Sequence, residues 1–500
     1  MTQTVPPPAT ASPATPAPGP SAADDRSRWR ALAVLCAGML MTILDQTIVN
    51  VALPSIQDDL GFDRSGLAWV VNAYMVAFAG LLLLAGRLGD LAGRRKVLVV
   101  GLVVFTAASL LCGVAASPGQ LVAARFVQGV GGALASAVIL GMIVTLFPEP
   151  REQARAIGAF SFSAAAGGSI GNIAGGLITD AWGWHGVFLV NVPIGVLVVA
   201  LTLRTVAADR GLGLRAGSDL VGAALGTSGL MLGVYAIVGA AEHGWLSAPT
   251  LAAGAAAAAL LTGFVVRQAT AATPLLPLRL FRSRNLAGAN LVQALMVAGA
   301  FTFMFLTALY GQRVLGYDAG AVGLAILPAA LVIGAVSLGL SARLDARVGP
   351  RAMVLAGLAL MAVGLALLAR LPVDGRYPVD MLPGIVVLAA GFGTAMPALT
   401  SLAMSGATAG DSGVASGLFT TTQQIGGAFG LAVLATLASS RTDALLASGS
   451  TEVAALTAGY RLAFGVASGV VVVALVVAAV VLRRPAAPAD QPKQAAAVAG

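Results

Sequence analysis

From Ala31 onward the chain alternates long apolar runs with short polar breaks. The runs lie near 31–53, 67–86, 97–116, 120–147, 154–181, 185–203, 219–241, 249–268, 285–309, 321–342, 350–371, 380–403, 413–438 and 459–482. A helix needs about 20 apolar residues to cross a bilayer. The pattern therefore predicts an all-α integral membrane protein with fourteen transmembrane helices. Pro148 and Pro150 mark the break between the fourth and fifth runs. Residues 1–28 are Pro, Ala, Thr and Ser followed by Asp24 and Asp25, a composition that cannot bury a core and predicts a disordered tail. The first apolar run is too long for the core of a signal peptide and lacks a cleavage site, so it is expected to stay as a helix.

Composition agrees with the pattern. The chain is 58% hydrophobic and only 10% charged, with a mean hydropathy of +0.90. The 62 glycines let helix backbones approach closely in lipid. The net charge of +8 does not mark a nucleic-acid partner, because the basic residues sit in short breaks between apolar runs. Those breaks alternate. Arg26, Arg28 and Arg30, then Arg87, Arg94, Arg95 and Lys96, then Arg204, Arg210 and Arg215 fall on one side, whereas Arg64, Arg313 and Arg370 fall on the other. Positive residues favour the cytoplasm, so both termini are expected there. Cys36 and Cys112 lie inside runs and read as packing residues. With two histidines and no ligand spacing, no metal site is expected. No GK[ST] phosphate loop appears, which argues against direct ATP drive and leaves no cofactor to name. No nucleophile triad or paired carboxylates suggest an enzyme.

The chain resembles itself. GRLGDLAGRR (86–95) returns as ARLDARVGPR (342–351), and GGSIGNIAGG (167–176) is echoed by QQIGGAFG (423–430) at the same offset. A six-helix unit used twice is implied, 29–205 and 285–482, with two inserted helices and their loops in 206–284 and tails at 1–28 and 483–500. Such repeats are common in secondary transporters, with substrate held between the halves.

Three features carry candidate chemistry. In GRLGDLAGRRKVL (86–98), Gly86, Asp90, Gly93, Arg94 and Arg95 form a tight, ordered turn between two spans. Asp90 is placed to cap a neighbouring helix or to pair with an arginine. Asp45 and Arg125 are the only ionisable residues well inside runs. A charge at the bilayer centre costs at least roughly 2.5–3.5 kcal/mol and is a functional candidate for that reason. A structural ion pair tying two helices is the plainer alternative. Burial favours the neutral acid and a nearby arginine the carboxylate, so protonation of Asp45 is sensitive to solvent access and to a cationic substrate. Polar residues within or near runs are candidates to line a substrate cavity: Asn50, Asn72, Tyr74, Gln128, Asn191, Asn290, Gln293, Tyr310, Gln312, Thr421, Gln423 and Gln424.

These motifs resemble a known family. GRLGDLAGRR is similar to the loop between helices 2 and 3 of the major facilitator superfamily. LDQTIVNVALP (44–54), LVAARFVQGVGGA (121–133) and SGLFTTTQQIGGAFG (416–430) look like its fourteen-helix drug–proton antiporter branch, and the likeness spans Trp29 to Leu482. The resemblance implies a monomeric exporter of lipophilic, often cationic compounds from the cell, driven by the proton gradient. It also implies an antiporter motif in the fifth helix, matched by Gly167, Gly171, Gly175 and Gly176. Asn172 stands where that motif has proline. The glycine face is expected to pack against a helix of the other half. His185 departs from the family pattern and reads as an interface residue. A dedicated metabolite exporter, an uptake symporter and a non-transporting membrane sensor are the competing readings.

Overall fold

The computed structural model describes residues 22–483 apart from 63, 210, 214–218, 272–273, 318, 342–346 and 406–411. Residues 1–21 and 484–500 of the expected tails and half of the ARLDARVGPR turn, 342–346, thus lie outside the described residues, whereas 22–28, expected in the disordered tail, belong to the first helix.

The described residues form helices and no strand. This is what a bilayer demands of an open chain, because a helix satisfies its own backbone donors and acceptors. The first set is α1 Ala22–Leu60, α2 Arg64–Ala92, α3 Arg94–Gly113, α4 Pro118–Leu146, α5 Pro150–Leu189 and α6 Asn191–Thr205. A hairpin follows, α7 Leu220–His243 and α8 Ala248–Thr270. The last set is α9 Arg284–Arg313, α10 Ala319–Ala335, α11 Pro350–Leu368, α12 Leu382–Met404, α13 Ser412–Ala447 and α14 Glu452–Val481.

Among the described residues, 11 helices are long and apolar enough to cross a membrane, or up to 12 when the bent pair 174–189 and 191–205 counts as one span. Three of the fourteen expected runs look different in the structure. The run at 321–342 becomes the shorter apolar helix Gly320–Ala335 and continues as the π-helical turn Val336–Ser341. The runs at 154–181 and 185–203 do not end between 181 and 185. Helix α5 carries on to Leu189 through a single non-helical residue, Gly183, at φ 70° and ψ 177°. Glycine alone enters that region without steric cost, so the break sits there rather than at a polar loop.

The two six-helix sets are built alike. Gly93 starts α3 at φ 100°, and Gly349 starts α11 at φ 82°. Gly101 of α3 lies so close to α4 that a Cβ would stand 2.5 Å from Ala135 N and 2.9 Å from Gly131 O. Gly357 of α11 meets α12 in the same way, with Ala395 N and Gly391 O each 2.6 Å from such a Cβ. Small residues at these crossings let backbone pack on backbone, where lipid supplies no hydrophobic drive for association.

The sets meet along two seams. Helices α2 and α4 pack on α13, and α5 packs on α10 and α12. The α7–α8 hairpin lies against both α2 and α13. Trp69 of α2 stacks on Tyr235 of α7 with centroids 5.6 Å apart. Beyond the end of α7, Trp245 Nε1 donates to Thr436 Oγ1 of α13 at 3.1 Å. At the other end of the hairpin, Asp219 caps α7. Its Oδ1 accepts from Gly222 N–H and from Arg267 Nε, both at 3.0 Å, and its Oδ2 from Gln268 Nε2 at 3.1 Å. Burial raises the Asp219 carboxyl, but these donors outweigh it and hold it below the ordinary carboxylate value.

The glycine crossings give a stability test. Gly101→Leu forces α3 off α4 and should lower the thermal midpoint of the purified protein, by an overpacking cost of about 1–3 kcal/mol. Gly254→Leu, at a position with nothing within 4 Å of a new Cβ, should leave it unchanged. Equal midpoints for the two variants would contradict the close-packed crossing.

Candidate functional site

Helix α1 carries Asp45 into the interior of the first set, where it is completely buried. Arg125 reaches it from α4, with Nη1 2.6 Å from Asp45 Oδ2. Asp45 Oδ1 accepts from Gln128 Nε2 and from Asn191 Nδ2, each at 2.8 Å. The arginine makes further bonds. Its Nε donates to Val70 O at 2.9 Å and its Nη1 also to Gln128 Oε1 at 2.6 Å. Its guanidinium lies 4.5 Å from the centroid of the Tyr74 ring and 5.7 Å from that of Phe188. Gln128 Nε2 donates onward to Ser109 Oγ at 2.7 Å. Five helices, α1, α3, α4, α6 and the first half of α2, thus converge on one carboxylate.

This arrangement satisfies the conditions under which charges survive burial. A lone ion would be expelled or neutralised, whereas a paired ion whose remaining lone pairs meet donors is tolerated. Arg125, Gln128, Gly129, Gly132 and Ser136 share one face of α4 by their three- and four-residue spacing. Of these, Gly129 makes room for the site, since a Cβ there would stand 2.5 Å from Tyr74 O.

Next to the carboxylate, on an adjoining face of α1, is a cavity of about 270 Å³ between the two sets. Thr42, Gln46 and Thr47 of α1 line it, with Phe78 of α2 and Phe160 and Ser161 of α5. The second set contributes Phe301, Phe303 and Met304 of α9, Phe392 and Met396 of α12, and Thr420, Gln423 and Gln424 of α13. No charged side chain lines it among the described residues. Gln46 connects cavity to carboxylate, because its Nε2 lies 3.5 Å from the Tyr74 hydroxyl, on the ring that the Arg125 guanidinium covers.

The sequence candidates distribute unevenly around this cavity. Only Gln423 and Gln424 are on its wall. Tyr74, Gln128 and Asn191 belong to the Asp45 cluster. Asn50 is exposed and donates to Gln46 O at 3.3 Å. Asn72 is half-buried, and Gln312 is exposed. Asn290 donates to Leu286 O at 2.9 Å, and Gln293 and Thr421 are buried within the second set. Tyr310 donates its hydroxyl to Pro372 O at 2.6 Å. Asn50, Asn290 and Tyr310, each bonded to a main-chain carbonyl, share one physical reason. A polar group in a membrane helix is drawn to any interior partner, including its own backbone, and need not face a substrate. The aromatic wall was not legible, since phenylalanine in an apolar run looks like any other lipid-facing or core residue.

The α2–α3 turn makes a second site, 86–95, at one end of the molecule. Asp90 accepts from two main-chain donors at the start of α13, Gly413 N–H to Oδ1 and Val414 N–H to Oδ2, both at 3.0 Å. Arg94 Nη2 donates to Oδ1 at 3.0 Å. A carboxylate of the first set therefore caps a helix of the second, using both the free N–H groups and the helix dipole. Gly86 and Gly417 allow the approach. A Cβ on Gly417 would stand 2.8 Å from Leu82 O, and one on Gly86 would meet Gly413 O. The turn is in turn strapped by the segment that follows α6. Asp209 accepts from Arg94 N–H at 2.7 Å and Arg95 N–H at 3.0 Å, capping α3. Leu212 N–H and Gly213 N–H donate to Asp90 O and Leu91 O at 3.0 and 2.9 Å. Arg95 Nη2 donates to Leu203 O at 2.6 Å. Asp209 carried no sequence signal, because it caps a helix more than a hundred residues earlier in the chain.

The glycines of α5 correct one expectation. Gly167, Gly171 and Gly175 do not face the second set. They pack on α1, where Cβ atoms would stand 3.0 Å from Ile43 Cγ2, 3.0 Å from Leu44 O and 2.9 Å from Ile48 O, respectively. Gly176 has nothing within 4 Å. Close packing inside the first set thus frames the stretch of α1 that carries Asp45. Across the seam α5 offers Phe162, whose ring occupies the space a Cβ on Gly334 of α10 would need. The backbone of α5 is helical through Asn172, whose side chain lies outside the described residues. His185 stacks on Trp184 with centroids 3.8 Å apart, and Trp184 Nε1 donates to Asp59 Oδ2 at 2.9 Å. No group of three or more metal-ligating side chains occurs among the described residues.

Comparison with known proteins decides the family. The family profile of the Major Facilitator Superfamily matches residues 35–431. The chain belongs to the major facilitator superfamily. Among facilitator proteins, it is 40% identical over 418 residues to the cephamycin export protein CmcT of Amycolatopsis lactamdurans, covering 83% of this chain and 85% of that one. It is 36% identical over 474 residues to the puromycin resistance protein pur8 of Streptomyces alboniger, covering 93% and 94%. The fold matches the human organic anion transporter MFSD10 at a TM-score of 0.64 with 16% identity, over 90% of this chain and 99% of that one. As a facilitator with these helices it is a multi-pass protein of the cell membrane.

Removing the cap across the seam should change the balance of conformations. Asp90→Asn keeps the size of the side chain but loses its charge and one acceptor oxygen. The contact should weaken by about 1–2 kcal/mol. Spin labels placed on the facing ends of α2 and α13 should then show a longer mean separation than in the parent protein. An unchanged distance distribution would show that the cap does not hold the seam.

Proposed function

We propose that this protein is a proton-coupled antiporter that exports lipophilic antibiotics or similar amphiphiles, with fourteen spans and both termini in the cytoplasm. The observation that carries the reading is the adjacency on α1 of a buried, ion-paired carboxylate and an uncharged aromatic cavity between the two helix sets. The names of CmcT and pur8, an export protein and a resistance protein, support the substrate class.

The alternation of positive residues puts the α2–α3 turn on the cytoplasmic side. On that placement the Asp90 cap closes the cytoplasmic seam, and its release lets the sets rock about the cavity. Asp45 exchanges its proton as the cavity is exposed to one side and then the other. Arg125, Gln128 and Asn191 hold the carboxylate in place through the cycle. The proton gradient supplies the work, and one charge moved through 100 mV is worth about 2.3 kcal/mol. The wall offers Thr, Ser and Gln side chains and no fixed charge. With one buried acid, Asp45, in the adjoining cluster, neutral amphiphiles and monocations suit the site better than dications, whose second charge would stay unpaired after desolvation.

Two variants test the reading in inverted membrane vesicles. Asp45→Asn fixes a neutral side chain in place of the titrating one. It should reduce proton-driven drug accumulation to the background of empty vesicles at normal expression, and drug addition should no longer release protons. Protonophore-sensitive transport at the parental rate would overturn the assignment. Gly171→Leu should also abolish exchange, by pushing α5 away from Leu44 and Thr47 on either side of Asp45. Retained exchange in that variant would remove the α1–α5 crossing from the mechanism.

A further inference from the structure

The donors around Asp45 suit one protonation state. Arg125 Nη1 serves Oδ2, and Gln128 Nε2 and Asn191 Nδ2 serve Oδ1. An ionised carboxylate only accepts, so all three bonds are complementary to it. A protonated carboxyl carries an O–H that must itself find an acceptor in this dry interior. Oδ2 faces the permanently charged arginine, which leaves Oδ1 as the oxygen that takes the proton.

Two amide oxygens belong to the groups that serve Oδ1. Gln128 Oε1 is occupied, accepting from Arg125 Nη1 at 2.6 Å and from the Cys112 thiol at 3.7 Å. Its nitrogen is also tied to Ser109 Oγ, so the Gln128 amide is fixed at both ends. Asn191 is different. The residue is completely buried, and its Oδ1 has no hydrogen-bond partner among the described residues. A buried carbonyl oxygen left without a donor calls for an explanation.

We propose that Asn191 is a positioning residue that responds to the protonation of Asp45 by turning its side-chain amide. On this view Nδ2 donates to the carboxylate in the ionised state. When a proton enters from solvent and binds Oδ1, the amide turns about its Cβ–Cγ bond, and Asn191 Oδ1 accepts the new O–H in the place where Nδ2 had donated. Loss of the proton to solvent reverses the turn. The spare oxygen seen here is then the acceptor kept for the protonated state, and both states of Asp45 are hydrogen-bonded at the same position. The proposal rests on Asp45 being the group that exchanges protons.

The titratable and charged groups that face Asp45 are few. Arg125 approaches from α4, Tyr74 from α2 and Cys112 from α3 behind Gln128. Helix α6 brings Asn191, and the α5 face on α1 at this level is glycine. His185 is engaged with the Trp184 ring instead. None of these is an acceptor with the free lone pair and reach of Asn191 Oδ1.

Infrared difference spectroscopy of the full-length protein in lipid vesicles, recorded on lowering the pH, tests this directly. In the parent protein a carboxylic-acid carbonyl band assigned to Asp45, absent in Asp45→Asn, should appear at the lowered frequency of a hydrogen-bonded acid. With asparagine labelled with ¹³C at its side-chain carbonyl, a downshift of one amide carbonyl should accompany it and be missing from Asn191→Leu. In Asn191→Leu the acid band should move to higher frequency. In Asn191→Thr, whose hydroxyl can donate or accept by rotating, it should stay low. An acid band at the parental frequency in Asn191→Leu overturns the proposal. Should that variant fail to fold, an asparagine carbonyl that does not shift in the labelled parent protein overturns it instead. The complete absence of a titrating Asp45 band removes the coupling assignment and this inference with it, whereas a titrating band that ignores Asn191 removes this inference alone.

Discussion

A carboxylate inside a membrane protein has to be held, and the hold placed on Asp45 organises the first six helices. The ion pair with Arg125 is not by itself stabilising, since stripping water from two ions costs about as much as their attraction returns. What makes the site tolerable is completeness. Arg125 Nε and Nη1 are directed at oxygens, from side chains or from the Val70 carbonyl, and both carboxylate oxygens of Asp45 meet donors. That requirement fixes the rotation of α1 and α4 about their axes and brings the first residue of α6 against α1. It also explains the bare crossings nearby. Gly129 and the α5 glycines let α2 and α5 come close enough to close the cluster off.

The cavity and the α2–α3 turn inherit their positions from this arrangement. With Asp45 turned inward, Gln46 and Thr47 are turned toward the second set, so the helix that carries the carboxylate also supplies part of the cavity wall. Helix α2 has two jobs along its length. Near its start the Val70 carbonyl receives Arg125, and at its end Asp90 receives the first N–H groups of α13. A tilt of α2 is therefore felt at both places, which gives a physical route between the two sites through a single stiff element.

Much of this was legible in the sequence, for reasons that differ by residue. Asp45 and Arg125 stood out because charge is so costly in an apolar run that two such residues invite pairing. Asp90 was legible as a cap because its turn is rich in glycine and its partners in a repeat are helix ends. The cavity was not legible, since the residues that line it are the ordinary apolar and small polar residues of membrane helices. The partner of the α5 glycines was misread because a small-residue face states that something comes close and not which helix does. Asn191 was legible as a polar residue in an apolar run but was assigned to the cavity and not to Asp45, and Asp209 was not legible at all. Each meets its partner only after helices far apart in sequence have packed.

The strap that follows α6 has a consequence for how this architecture can be shortened. Asp209, Leu212 and Gly213 belong by sequence to the connection toward the α7–α8 hairpin, yet their bonds are all to the α2–α3 turn. The linker is thus divided. Its first part is a component of the six-helix set before it, and only what comes after is free to lengthen, shrink or carry extra helices. Excising the inserted pair from Val206 would leave a chain with the right number of remaining helices and an unsupported α3 start, whereas a cut made after Gly213 would leave that helix capped. Evolutionary gain or loss of the pair is then constrained to a join a few residues further along than a simple count of spans would place it.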